Sequence, residues 1–146
     1  MSTERDPPDT VNHSPGATWT QDDLGDDLAV GPLSVIGELD PTGAQGTLKE
    51  VLAMFMESLD PMLTDVEHHR AHGYATGIRF QAHKLQSASA QIGATRLAAS
   101  TRAITAYFAS GGSLATGPLD PALSALVDSL VAETIRLQRR LHHLLA

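Results

Sequence analysis

A chain of 146 residues with 42% hydrophobic residues suffices for one domain with a modest core. Aromatics make up only 4% and cysteine is absent, so the core must be aliphatic, and disulfides, thiol catalysis and cysteine-based zinc sites are excluded. The net charge of −7 is uneven: residues 1–40 hold nine acids and one base, and the rest hold eight acids and nine bases, a balance that argues against nucleic-acid binding.

Residues 1–30 show no apolar periodicity. The stretch "RDPPDTVNHSPGATWTQDDLGDD" is rich in Pro, Gly, Asp and small polar residues and reads as a disordered acidic tail, with Trp19 exposed in it. The opening "MSTERDPPDT" has no apolar segment of the kind a secretory signal needs, and no run in the chain approaches the roughly 18 apolar residues of a membrane span. A cytoplasmic location with no membrane partner is the expectation.

The domain proper is expected over residues 31–146. "PLSVIGELD", Pro32 to Asp40, predicts a short helix with apolar Leu33, Val35, Ile36 and Leu39. "TLKE" at Thr47–Glu50 has the pattern of a capping box, in which the Thr47 hydroxyl and the Glu50 side chain satisfy the free amides opening a helix. From there Leu48, Val51, Leu52, Phe55, Met56, Leu59, Leu63 and Val66 recur at spacings of three and four, an amphipathic helix to about His72. Pro61 lies inside it, and a kink or break near Ser58–Asp60 is expected because proline removes a backbone donor and clashes one turn back.

Gly73 marks a helix stop. The next helix is predicted from about Ala75 to Ile92 on the stripe Ile78, Ala82, Leu85, Ser89 and Ile92, and is broken by Gly93. Another follows from about Ala94 to Ala109, burying Leu97, Thr101, Ile104 and Phe108. After the loop "SGGSLATGPLDP", Asp120 caps a last helix with Pro121 at its first position. That helix runs to about Leu144 on Leu123, Leu126, Val127, Leu130, Ile135, Leu137 and Leu141. Arg136, Arg139 and Arg140 near its end suit the helix dipole. No alternating strand pattern is found. The fold class is all-α, an antiparallel up-and-down four-helix bundle with a short additional N-terminal helix.

The chemistry centres on "AHKLQSASAQIGATRL", Ala82 to Leu97. A helix turns roughly 100° per residue, so His83 is rotated off the buried stripe marked by Ala82. Along its own face lie Arg79, Phe80, Gln86, Ser87 and Ala90, and the small residues leave room for another protein to approach. There is no Gly-rich phosphate loop, no Gly-x-Ser-x-Gly, no His-Glu-x-x-His, and no Asp or Glu within a turn of His83. A histidine without its own base or metal must borrow them. Imidazole as a chemical class titrates near neutrality, so its neutral form is available to attack a phosphoryl group if a partner supplies the leaving group and Mg²⁺.

Residues from about 32 to 146 resemble a histidine-containing phosphotransfer (HPt) domain, whose pattern is His-x-Leu-Lys-Gly-Ser-Ser-x-x-x-Gly-Ala-x-x-Leu. His83, Leu85, Ser89, Gly93, Ala94 and Leu97 match it, while Gln86 stands where the family has Lys and Ser87 where it has Gly. The resemblance implies that His83 is the phosphoacceptor and exchanges phosphate with an aspartate on the receiver domain of a response regulator or hybrid histidine kinase. It implies no cofactor in this chain, Mg²⁺ on the partner receiver, no ATP binding and no hydrolysis by the chain alone, and a monomer is expected. Arg79 is placed to supply the cation missing at Gln86. Lys84 is placed to reach an acidic partner rim. Gln86, Ser87 and Ala90 complete the partner surface, and Gly93 is structural.

Two rival readings remain. An HPt-like bundle that docks receivers or other signalling proteins without transferring phosphate is motivated by Gln86 and Ser87. A metal-binding bundle through His68 and His72, four apart in "VEHHRAHG", is the remoter one. No third ligand at useful spacing follows, so this stretch, like "LHHLL" at His142 and His143, reads as a solvated helix end.

Overall fold

The computed structural model describes residues 19–43 and 46–146. Among these, all regular structure is helical: α1 (Gln21–Leu24), α2 (Val30–Gly37), α3 (Thr47–His72), α4 (Ala75–Gln91), α5 (Thr95–Ala109) and α6 (Pro121–Leu145). The last four are the bundle. Each packs on the next, and α6 closes the ring against α3. The α3–α4 and α4–α5 connections are too short for anything but a reversal, which makes these neighbours antiparallel.

The three- and four-residue spacing sets the core. Leu52, Leu59 and Val66 of α3, Ile78 and Ala82 of α4, Leu97 and Ile104 of α5, and Leu123, Val127, Leu130 and Leu141 of α6 are buried in one cluster. Burying a side chain of this size stabilises by about 1.5–3 kcal/mol. Met62 joins the cluster although it lay outside the predicted stripe; Phe108 is only half-buried and Ile135 is exposed. Helix ends follow the sequence signals in two places. Gly73 caps α3 with φ 67°, and the Asp120 carboxylate accepts from the Ala122 amide at 3.1 Å to open α6 at Pro121.

Three local expectations are corrected. The capping box at Thr47–Glu50 does not form. Gly46 is the N-cap, Thr47 is already helical, and the Thr47 amide donates instead to the Asp40 carboxylate at 3.2 Å, so a residue seven positions away does the capping. Of the kink or break expected at Pro61, the break does not occur. α3 continues through it to His72, while the Ser58 hydroxyl donates to the Phe55 carbonyl at 2.6 Å. Packing of Leu59, Met62 and Val66 on both sides of the proline outweighs the one lost hydrogen bond. The short helix α2 starts at Val30 rather than Pro32 and ends at Gly37. Of its four apolar residues Leu33 is buried and Ile36 half-buried, whereas Val35 and Leu39 face solvent.

The reading of residues 1–30 as a disordered tail fails from residue 19 onward; residues 1–18 lie outside the described residues. Thr20 opens α1 with a capping box, its hydroxyl accepting from the Asp23 amide while the Asp23 carboxylate accepts from the Thr20 amide. Leu24 and Leu28 are buried and Trp19, expected exposed, packs on the core edge. The acidic character has a structural use. Asp27, 5% exposed, accepts from Arg136 at 2.6 Å and Arg140 at 3.0 Å, and the Arg140 guanidinium also donates to the Asp23 carbonyl. Two of the three C-terminal arginines thus anchor the leading segment as well as lying in the last turns of α6. Removing a buried carboxylate leaves two part-exposed cations unpaired. Asp27→Ala should therefore cost about 1–3 kcal/mol, below a fully buried pair because water screens both arginines. Chemical denaturation should show the lower midpoint, and cleavage within residues 19–29 by a protease should accelerate. An unchanged midpoint and cleavage rate would refute this role.

Candidate functional site

Helix α4 carries the site. Ala75, Ile78, Gln81, Ala82, Leu85 and Ser89 are its buried residues, and His83 falls on the opposite side of this stripe, exposed, in the middle of the helix. Among the described residues the imidazole has no hydrogen-bond or ion-pair partner. It stands in a groove between α4 and α5. Arg79 and Phe80 line the groove on the His83 side, and Thr105 and Phe108 form the facing wall. Aromatic rings at Phe80, 60% exposed, and Phe108 make part of its lining apolar, beside one cation and one imidazole.

The predicted site residues separate into three settings. Arg79 shares the groove with His83 and is exposed. Ser87 and Ala90 are exposed further along the helix and keep its surface low. Gln86 is half-buried, and its side-chain oxygen accepts from the Thr105 hydroxyl of α5 at 3.3 Å, so it leans toward the groove wall. Lys84 does not share the groove. Its ammonium sits 5.2 Å from the centre of the Phe80 ring, a cation–π contact that holds it along α4.

Gly93 ends the helix with φ 75°, a conformation that costs a side chain strain. Its carbonyl accepts from the Ala29 amide at 2.8 Å, and the Thr95 hydroxyl donates to the Asp26 carbonyl, so the leading segment seats on this turn. Ser89 is fully buried and its hydroxyl has no partner among the described residues. A small residue is what this tight packing admits.

The histidines of "VEHHRAHG" form a different structure. The His72 Nδ1–H donates to the His68 carbonyl at 2.8 Å, the two rings lie 4.3 Å apart, and Tyr74 stacks on His72. His69 turns inward against Gly77 of α4, where a Cβ would overlap its ring. Among the described residues no group of three His, Cys, Asp or Glu is arranged to hold a metal ion. Likewise no helix among them is long and apolar enough to cross a membrane.

Thr105 and Phe108 are the site residues that sequence reading did not place at the site. Thr105 and Phe108 belong to another helix, 22 and 25 positions on, and no local signal ties them to His83.

A mid-helix exposed histidine on a four-helix bundle is the arrangement on which the comparison with known proteins bears. The profile of the Hpt domain matches residues 50–144. The chain belongs to the Hpt domain family. The match takes in all of α4 and α5 and nearly all of α3 and α6, so it covers every residue that lines the His83 groove. Residues 19–49, including the segment clamped through Asp27, lie before it. No curated protein and no solved structure matches the chain. Hpt domains serve histidine phosphotransfer in phosphorelays and interact with receiver domains of two-component systems.

Proposed function

We propose that His83 is the phosphoryl acceptor and donor of this Hpt domain, exchanging phosphate with an aspartate of a receiver domain in a response regulator or hybrid kinase. One observation carries the reading: within the matched region, the histidine at the motif position stands exposed at mid-helix, without a partner among the described residues, beside an open groove. A nucleophile in that setting is accessible but has neither base nor metal of its own. The receiver would supply Mg²⁺ and the carboxylates that hold it, so this chain needs no cofactor for the step. In the transfer, the imidazole lone pair forms the N–P bond as the aspartyl O–P bond breaks, and the electron pair of that bond stays on the carboxylate. Arg79 in the same groove offsets charge on the moving phosphoryl. Incubation with phosphorylated receivers tests the reading through the appearance of acid-labile, base-stable label on this chain.

Gln86 and Ser87 in place of the family's Lys and Gly favour a second reading, a bundle that docks receivers without taking phosphate. Binding without label would establish it. Both readings put the partner over the exposed face of α4. Ser87→Arg, adding bulk and charge to that low surface, should weaken receiver binding roughly tenfold or more, read by calorimetric titration. Unaltered affinity would place the partner elsewhere.

A further inference from the structure

The resemblance implies a lysine three residues after the histidine that would offer a cation to the phosphoryl group, and here that position is the neutral amide of Gln86. An amide is useful to a phosphoryl group only in one orientation. Its NH₂ donates to oxyanions, while its carbonyl oxygen repels them. Something must therefore choose which half faces His83. Gln86 and His83 lie three apart on one helix face, the spacing at which side chains are neighbours. The other half of the amide is engaged from the facing helix, where the Thr105 hydroxyl donates to Gln86 Oε1 at 3.3 Å. Thr105 also lines the His83 groove itself.

We propose that Thr105 is a positioning residue for phosphotransfer: by holding the Gln86 carbonyl oxygen it turns the Gln86 NH₂ toward the phosphoryl group on His83, and so a Gln–Thr pair from two helices supplies a neutral donor at the position of the family's lysine, beside the cation of Arg79. This rests on the reading of His83 as the acceptor. The Thr105 hydroxyl has a single hydrogen and two acceptors in reach, Gln86 Oε1 at 3.3 Å and the Arg102 carbonyl at 3.0 Å. If the hydrogen goes to Arg102, the hydroxyl oxygen can accept from a reversed amide, which would aim the carbonyl at His83. A phosphoryl group selects the first arrangement, because its oxygens attract the NH₂ and repel the carbonyl. The pair is thus a donor that is set by the arrival of phosphate, where a lysine is a donor at all times. The half-buried position of both side chains limits competition from water for the bond between them.

The test uses phosphoramidate, a small phosphoryl donor to histidine, so that no receiver need be known. In that reaction the P–N bond of the donor breaks and its electron pair leaves with nitrogen as ammonia, while the imidazole lone pair forms the new N–P bond. Rates of label uptake are compared for the wild-type chain, Thr105→Val, Thr105→Ser, Gln86→Lys and the double variant Thr105→Val with Gln86→Lys. Thr105→Val keeps the branched shape and removes the hydroxyl, and it should slow uptake about three- to tenfold, the range for loss of one orienting hydrogen bond. Thr105→Ser should restore the rate. In the Gln86→Lys background Thr105→Val should have no effect, because a lysine needs no orienting partner. Uptake by Thr105→Val at the wild-type rate would overturn the proposal and leave His83 standing. So would a Thr105→Ser variant as slow as Thr105→Val, or a Thr105→Val effect that persists beside Lys. Label on His83→Gln, or none on the wild-type chain, would instead overturn the acceptor reading beneath it.

Discussion

His83→Gln should abolish phosphoryl uptake completely while leaving the fold untouched. The two halves of this expectation come from one fact: the imidazole at the middle of α4 is exposed and has no partner among the described residues. Glutamine keeps polarity and a comparable length but has no nucleophilic nitrogen lone pair, so the N–P bond has nowhere to form. A surface substitution with no hydrogen bond to lose shifts stability by no more than about 0.5 kcal/mol. The helical circular-dichroism signal and the melting temperature should therefore match those of the wild-type chain. The other histidines of the described region supply the contrast. His69 is packed against Gly77, and His72 stacks on Tyr74 with His68 beside both at the end of α3, so substituting these should disturb the α3–α4 corner and leave uptake at His83 intact. Uptake that survives His83→Gln would mean another residue is the acceptor.

Much of the bundle was legible because its information is local. The three- and four-residue spacing of leucines depends on the helix alone, and Gly73, Gly93 and Asp120–Pro121 act on their own turns. What escaped is non-local. The acidic lead looked like a solvated tail because its charge was weighed within the segment, whereas Asp27 finds its counter-ions at Arg136 and Arg140, more than a hundred residues on. The Thr47 cap was misread for a related reason. The motif is present, but the Asp40 carboxylate accepts from the Thr47 amide in place of a side chain of the motif. At Pro61 the helix carries on where a break was one of the two expectations, because packing on both sides of the proline holds it. The site divides in the same way. His83, Arg79 and Ser87 share one helix face and follow from its period, while Thr105 and Phe108 enter from α5 and become visible only once the helices are placed side by side. Lys84 shows a further limit: periodicity gave its direction but not the Phe80 ring that holds it.

A large loss of stability is expected from Gly93→Ala, and its cause joins the motif to the leading segment. Gly93 is buried at the α4–α5 turn with φ 75°, a conformation an alanine adopts only with strain. The turn is also a landing place. The Gly93 carbonyl receives the Ala29 amide at 2.8 Å, and a Cβ added at Gly93 would lie 2.7 Å from the Ala29 carbonyl oxygen. That neighbour is backbone and cannot rotate away. Relief requires either the turn to deform, which moves α4 against α5, or residues 26–29 to lift, which uncovers Leu28 and pulls on the Asp27 clamp. Strain at such a position costs about 1–3 kcal/mol, and the backbone overlap adds to it, so a loss of about 2–4 kcal/mol is expected in denaturant unfolding. The two routes of relief leave different signatures. If residues 26–29 lift, amide exchange should rise at Ala29 and at the amides of α1 while the His83 helix stays protected, and phosphoryl uptake at His83 should persist at low temperature. If the turn deforms, exchange should rise through Ala90–Ala94 and the groove wall at Thr105 should shift with α5, slowing uptake as well. The lifted segment is the expected outcome, because it holds on by fewer buried side chains than the bundle does. A Gly93→Ala variant with the wild-type unfolding midpoint would show that neither the positive φ nor the contact with Ala29 constrains this position.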